Sequence, residues 1–243
     1  MTKNKNPDEM SFLDHLEELR WRIFKCLIAV GVCAIPCGVF WKRIFDVVMI
    51  YPLRLADPAP RLIYTGPAEA IILSIKIAIT GGVIFAAPAV FYQIWRFISP
   101  GLYKKEKVII LPVVFASTLF FLMGIAFSYL TVPFVISFLT RFAAGKLDAL
   151  YRSQEYLGFL IKLAMAFGVV FELPVLSYVF TKLGFLTPKV LIAKIRYAIV
   201  IIFIMAAVLT PPDIVSQMFL ALPLLVLYGI SILVSFFVME RKK

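Results

Sequence analysis

Charge is nearly absent from six stretches of this chain and concentrated in the segments between them. The apolar stretches run at about residues 23–41, 70–95, 108–139, 157–180, 197–209 and 218–239. All but one approach or exceed the ~18–20 apolar residues that carry an α-helix across a bilayer. The intervening segments hold the prolines, glycines and basic residues that end helices and stay in water. KRIFDVVMIYPLRLADPAPRLIYTGPAE, after the first stretch, contains four prolines and reads as a largely irregular loop with one short helix. The basic SPGLYKKEK is a tight turn, TRFAAGKLDALYRSQE a mixed connector, and TKLGFLTPKVLIAKIR a basic loop.

The fifth stretch is the exception. Residues 197–209 would make only about 20 Å of helix against a hydrocarbon core of ~30 Å. They end at Thr-Pro-Pro-Asp, where two prolines stop a helix. A basic group precedes residue 197 and another follows residue 239, and equal flanks favour an even number of crossings. The pattern therefore predicts a hairpin whose first arm is short, and six spans in all. Such an arm is expected to thin the bilayer locally.

Composition agrees: of 243 residues, 62% are hydrophobic and 16% charged, with a mean hydropathy of +0.96. The expected class is an all-α integral membrane protein forming a single six-span domain, with no separate soluble unit. The first stretch is too long for the apolar region of a cleavable signal and no small-residue cleavage site follows it, so it is expected to be retained. With both termini in the cytoplasm, the inside segments carry 16 Lys and Arg and the outside loops 7. That asymmetry sets the orientation. Cys26, Cys33 and Cys37 all fall in the first stretch, far in sequence from other metal-binding residues, and are expected to be buried as small hydrophobes.

Acidic residues cluster where a chain of net charge +11 does not need them for solubility. Residues 1–22 are expected to form an amphipathic segment on the cytoplasmic surface, with Ser11 and Asp14 as a capping pair and Phe12, Leu16, Leu19 and Ile23 at helical spacing. Glu18 has an ordinary explanation in an i,i+4 pair with Arg22. Glu106 has another in a helix dipole. Together they place two anionic points on one leaflet, suited to a cationic ligand. Guanidinium is the best fit, because it meets a carboxylate as a two-pronged fork.

Glu172 lies within the fourth stretch, in FGVVFELPV, where a carboxylate costs at least ~2.5 kcal/mol unless paired or hydrated. Pro174 frees the Val170 carbonyl and Gly168 lies one turn away, a combination expected to form an open polar notch. The plainer reading is a hydrogen bond to a hydroxyl on another span. Asp213 follows two prolines and reads equally well as a turn residue. The chain has one histidine, His15, and no nucleophile elbow, metalloprotease motif or phosphate-gripping loop, so catalysis is not expected. No cofactor or nucleic-acid partner is expected either. A proton-coupled small-solute transporter, relaying through Glu172, Lys76 and Lys162, is the alternative reading.

HLEELRWR, FISPGLYKKEK, FELPV and LTPPD occur in an order and at separations that resemble the TatC family, the multi-spanning subunit of the twin-arginine protein translocase. The likeness runs from about Leu13 to Met239. It implies a curved, glove-shaped bundle of six helices in the bacterial cytoplasmic (inner) membrane, with both termini cytoplasmic. It also implies a receptor for twin-arginine signal peptides of folded cargo proteins, in a multi-copy complex with the single-span subunits TatA and TatB, driven by the proton gradient. The resemblance gives Glu18 and Glu106 as the signal-peptide carboxylates and Arg20 as a companion in the same motif. It makes Glu172 an intramembrane polar group, and places Thr210 and Gln217 where partner helices dock.

Overall fold

The computed structural model describes residues 12–98, 110–143, 149–209 and 214–240. The first helix, α1, runs unbroken from Phe12 to Val39. The expected surface segment is therefore not a separate element: its described part forms the opening turns of a membrane helix. No proline or glycine interrupts Phe12 to Val30, so nothing turns the chain at residue 22.

The loop after α1 is more ordered than four prolines suggested. It forms α2 (Trp41–Phe45), a π-helical turn (Asp46–Ile50) and α3 (Tyr51–Leu55). Pro52 continues this helical run, and the Val47 carbonyl that its missing N–H leaves open in the π-helical register accepts from the Tyr129 hydroxyl at 2.5 Å. The other three prolines all follow Leu55. Met49 and Leu53 are buried in the main apolar cluster, so tertiary packing holds this segment helical.

Two three-residue strands went undetected in the sequence. β1 (Arg61–Ile63) and β2 (Leu150–Arg152) pair in parallel, Leu62 opposite Tyr151. They bring together the starts of α4 (Glu69–Ile98) and α6 (Ser153–Val170). Glu69 completes the junction. One of its oxygens accepts from the Thr65 amide at 2.6 Å and the Gly66 amide at 3.4 Å, and the other from the Gln154 amide at 3.1 Å. The residue is 4% exposed. Glu69→Ala would strand these donors, at about 1–3 kcal/mol per buried group. The expected result is a melting temperature lowered by several degrees in detergent, with Glu69→Gln intermediate because its amide keeps one acceptor.

The remaining helices are α5 (Ile110–Ala143), α7 (Leu173–Leu183), α8 (Pro188–Ala193), α9 (Ile195–Leu209) and α10 (Ile214–Glu240). Among the described residues, five helices are long and apolar enough to cross a membrane, counting α6 and α7 as one, and α9 is a shorter apolar helix. At 15 residues it spans about 22 Å. α10, at 27 residues, is not short. α1 lies along α4, α4 beside α5, α5 beside α6, α7 beside α10, and α10 beside α9. Glycine permits two of these approaches. A Cβ on Gly82 of α4 would lie 2.7 Å from the Val30 carbonyl oxygen of α1, and one on Gly124 of α5 would lie 2.6 Å from the Phe167 oxygen of α6. Small residues at crossings are how helices associate where lipid supplies no hydrophobic drive.

Candidate functional site

Glu18 sits in the second turn of α1, facing the last turns of α4. The Nε and Nη2 of Arg22 both donate to its Oε1, the Nε contact at 2.9 Å. The i,i+4 pair offered by the sequence is thus present. It also reaches across the helix contact, because Arg22 Nη1 donates to Gln93 Oε1 at 3.3 Å. The pair is largely covered, Arg22 at 12% and Glu18 at 21% side-chain exposure. Glu18 Oε2 is buried without a hydrogen-bond partner. His15 Nδ1 is 3.9 Å from it, and the His15 ring stacks on Phe97 with centroids 4.3 Å apart.

The other expected site residues fall in different places. Arg20 turns away from Glu18: it is 61% exposed, lies 3.7 Å from Glu17 and sits over the Trp21 ring. Glu106 and Thr210 lie outside the described residues, as do Ser11 and Asp213. Gln217, in the first turn of α10, donates from Nε2 to the Phe203 carbonyl at 3.0 Å and so ties α10 to α9.

Glu172 is 6% exposed and lies in the break between α6 and α7. The break falls where Pro174 denies the Val170 carbonyl its helical donor. Ser117 of α5 lies beside the carboxylate, and Trp95 Nε1 of α4 donates to Ser117 Oγ at 2.9 Å. A hydroxyl from another span therefore stands beside the carboxylate, as the plainer reading expected. Glu172 Oε1 is buried and unpartnered. The open notch expected at Gly168 is closed: a Cβ there would meet the Phe121 ring at 2.6 Å. Gly168 and Gly124 together make a tight crossing of α5 and α6. The glycine serves the helix contact, and the polar group stands beside it in a packed interior.

Gln93, Phe97, Trp95 and Ser117 were not anticipated from the sequence. Their signal was faint: a glutamine and a tryptophan near the end of an otherwise apolar run, FYQIWRF, and a serine in VVFAST. Each acquires its role only from a partner on another helix. No group of three His, Cys, Asp or Glu side chains that would hold a metal ion occurs among the described residues. Cys26, Cys33 and Cys37 are free thiols, with Cys37 buried against Gly81. The site is thus one paired carboxylate at the end of a two-helix contact, and a second one deep in the bundle.

Known proteins match this chain over nearly its full length. The family model for the Sec-independent protein translocase protein (TatC) matches residues 14–223. The chain is 44% identical to the Sec-independent protein translocase protein TatC of Helicobacter pylori strain J99 over 91% of its own length and 87% of that protein. It is 37% identical to the protein of that name from Aquifex aeolicus, over 96% and 98% of the two chains. Among solved structures it superposes with a TM-score of 0.81 on a crystal structure of the twin-arginine translocase receptor TatC, at 36% identity, covering 93% of this chain and 99% of that one. The chain belongs to the TatC family of Sec-independent protein translocase proteins.

Proposed function

We propose that this chain is the receptor of a twin-arginine translocase and that Glu18 takes up an arginine of the signal peptide at the cytoplasmic face. The observation that carries the reading is the Glu18 carboxylate itself. It stands at the end of a helix contact, already selects a guanidinium in Arg22, and keeps a buried oxygen unused. A partly desolvated carboxylate of this kind binds guanidinium better than an exposed pair worth ~0.2–1 kcal/mol.

A multi-pass protein of the bacterial inner membrane, a component of the protein translocase, accounts for the helical architecture and the matched relatives. The finer assignments extend the same proposal. Both termini lie in the cytoplasm across six spans, α9 included. Glu106 is the second recognition carboxylate, Arg20 shapes the same N-terminal motif, and Glu172 meets the inserted apolar part of the signal peptide or a partner helix. Thr210 and Gln217 dock the single-span TatA and TatB subunits, several copies of the chain act together, and the proton gradient supplies the energy. The chain performs no catalysis of its own. The solute-transporter alternative is not favoured, since the family is a protein translocase and Lys76 and Lys162 make no contact with Glu172 among the interactions of the described residues.

The test is binding of a labelled Arg-Arg signal peptide to the purified protein in detergent, beside a Lys-Lys version. Wild type is expected to prefer Arg-Arg, and Glu18→Ala and Glu106→Ala each to lose that preference. Equal binding of both peptides by wild type would refute the receptor reading.

A further inference from the structure

The Glu18 carboxylate is already half occupied. Arg22 directs two N–H groups at a single oxygen, Oε1, instead of spanning both oxygens in the fork geometry that favours guanidinium. Its third arm is held by Gln93 from α4, so the guanidinium is anchored at two points on two helices. Oε2 remains buried with no hydrogen-bond partner, and His15 Nδ1 at 3.9 Å is too far to supply one. A buried carboxylate oxygen without a donor is costly and calls for an explanation. An incoming donor that displaces part of its side-chain cover satisfies it.

We propose that Arg22 is a resident competitor for the receptor carboxylate: it holds Oε1, leaves Oε2 to the ligand arginine, and thereby sets both the strength and the arginine selectivity of binding at Glu18. The inference rests on the reading of Glu18 as a ligand carboxylate. Two consequences follow from charge and geometry. Arg22 cancels the charge of Glu18, so the ligand meets a nearly neutral pair instead of a full anion. A single free oxygen also cannot receive a guanidinium as a fork, which reduces the advantage of arginine over lysine at this position. Gln93 is a positioning residue that keeps Arg22 from swinging away. Weak, reversible capture suits a receptor that must release its signal peptide.

The experiment compares wild type with Arg22→Gln, Arg22→Lys, Gln93→Leu, Glu18→Gln and the double variant Arg22→Gln/Glu18→Gln. Binding of Arg-Arg and Lys-Lys signal peptides is measured on each purified protein, with melting and gel filtration as folding controls. Arg22→Gln is expected to tighten Arg-Arg binding by about fivefold, the scale of a partly desolvated charge pair, and to widen the ratio over Lys-Lys. Arg22→Lys keeps the charge without the two-point grip and should fall between. The double variant should lose the entire gain. Gln93→Leu frees Arg22 without changing charge and should shift affinity the same way by a smaller factor, which decides the matter if Arg22→Gln does not fold. Weaker or unchanged Arg-Arg binding by Arg22→Gln and Gln93→Leu, with Glu18→Gln still deleterious, would overturn the proposal and leave the receptor reading intact. Wild-type binding indifferent to Glu18→Gln would remove Glu18 from the receptor and this proposal with it.

Discussion

Gly82→Leu is expected to separate α1 from α4 and to abolish both the cooperative melt and ligand binding at Glu18. A Cβ at this position would lie 2.7 Å from the Val30 carbonyl oxygen and 2.8 Å from Ala34 Cβ, both on α1. A backbone carbonyl cannot rotate out of the way as a flexible side chain does, so the helices themselves must move apart. Overpacking typically costs ~1–3 kcal/mol when side chains can adjust, and more is expected here. Function follows because the site is built across this crossing: Glu18 and Arg22 come from α1, and Gln93 and Phe97 from α4. Gly31→Leu is the matched control. It lies on α1 with nothing within 4 Å of its Cβ position, and should melt and bind like wild type. Melting in detergent followed by peptide binding checks both statements.

Glu172→Met is expected to raise stability while sharply lowering export. The residue is 6% exposed, with Ser117 beside its carboxyl group and Oε1 buried without a partner. Intramembrane carboxylates cost at least ~2.5 kcal/mol on insertion scales, and replacing a buried, poorly satisfied charge by an apolar side chain of similar size is often stabilising. A melting temperature higher by several degrees would fit a group kept for function at the expense of stability. Cells carrying Glu172→Met should accumulate unexported reporter, although surface capture of the signal peptide at Glu18 persists. A lower melting temperature would show instead that the Trp95–Ser117–Glu172 chain is a structural brace.

Elements whose signal is local were legible in the sequence. The apolar stretches recur as α4, α5, the α6–α7 pair, α9 and α10, and the kink at Pro174 falls where a missing donor requires it. The i,i+4 pairing of Glu18 with Arg22 was equally visible. What failed depends on partners distant in the chain. Residues 12–22 resembled a surface helix because their charges are mixed, yet no breaker stops α1. β1 and β2 are too short to show alternation and lie far apart in sequence. Gly168 beside a proline suited a notch as well as a crossing, and the Phe121 ring on another helix decides for the crossing. Gln93 gave no sign that it would meet Arg22, 71 residues earlier.

The receptor proposal requires an arginine of the signal peptide to dock at Glu18, at the contact of α1 with α4. It is tested most directly by crosslinking a signal peptide with a photoreactive residue beside its arginine pair to the purified wild-type protein. Crosslinks are expected to the start of α1 and the last turns of α4, competed by unlabelled Arg-Arg peptide and lost in Glu18→Ala. Crosslinks confined to the opposite end of the bundle, near β1 and β2, or unaffected by Glu18→Ala, would contradict it.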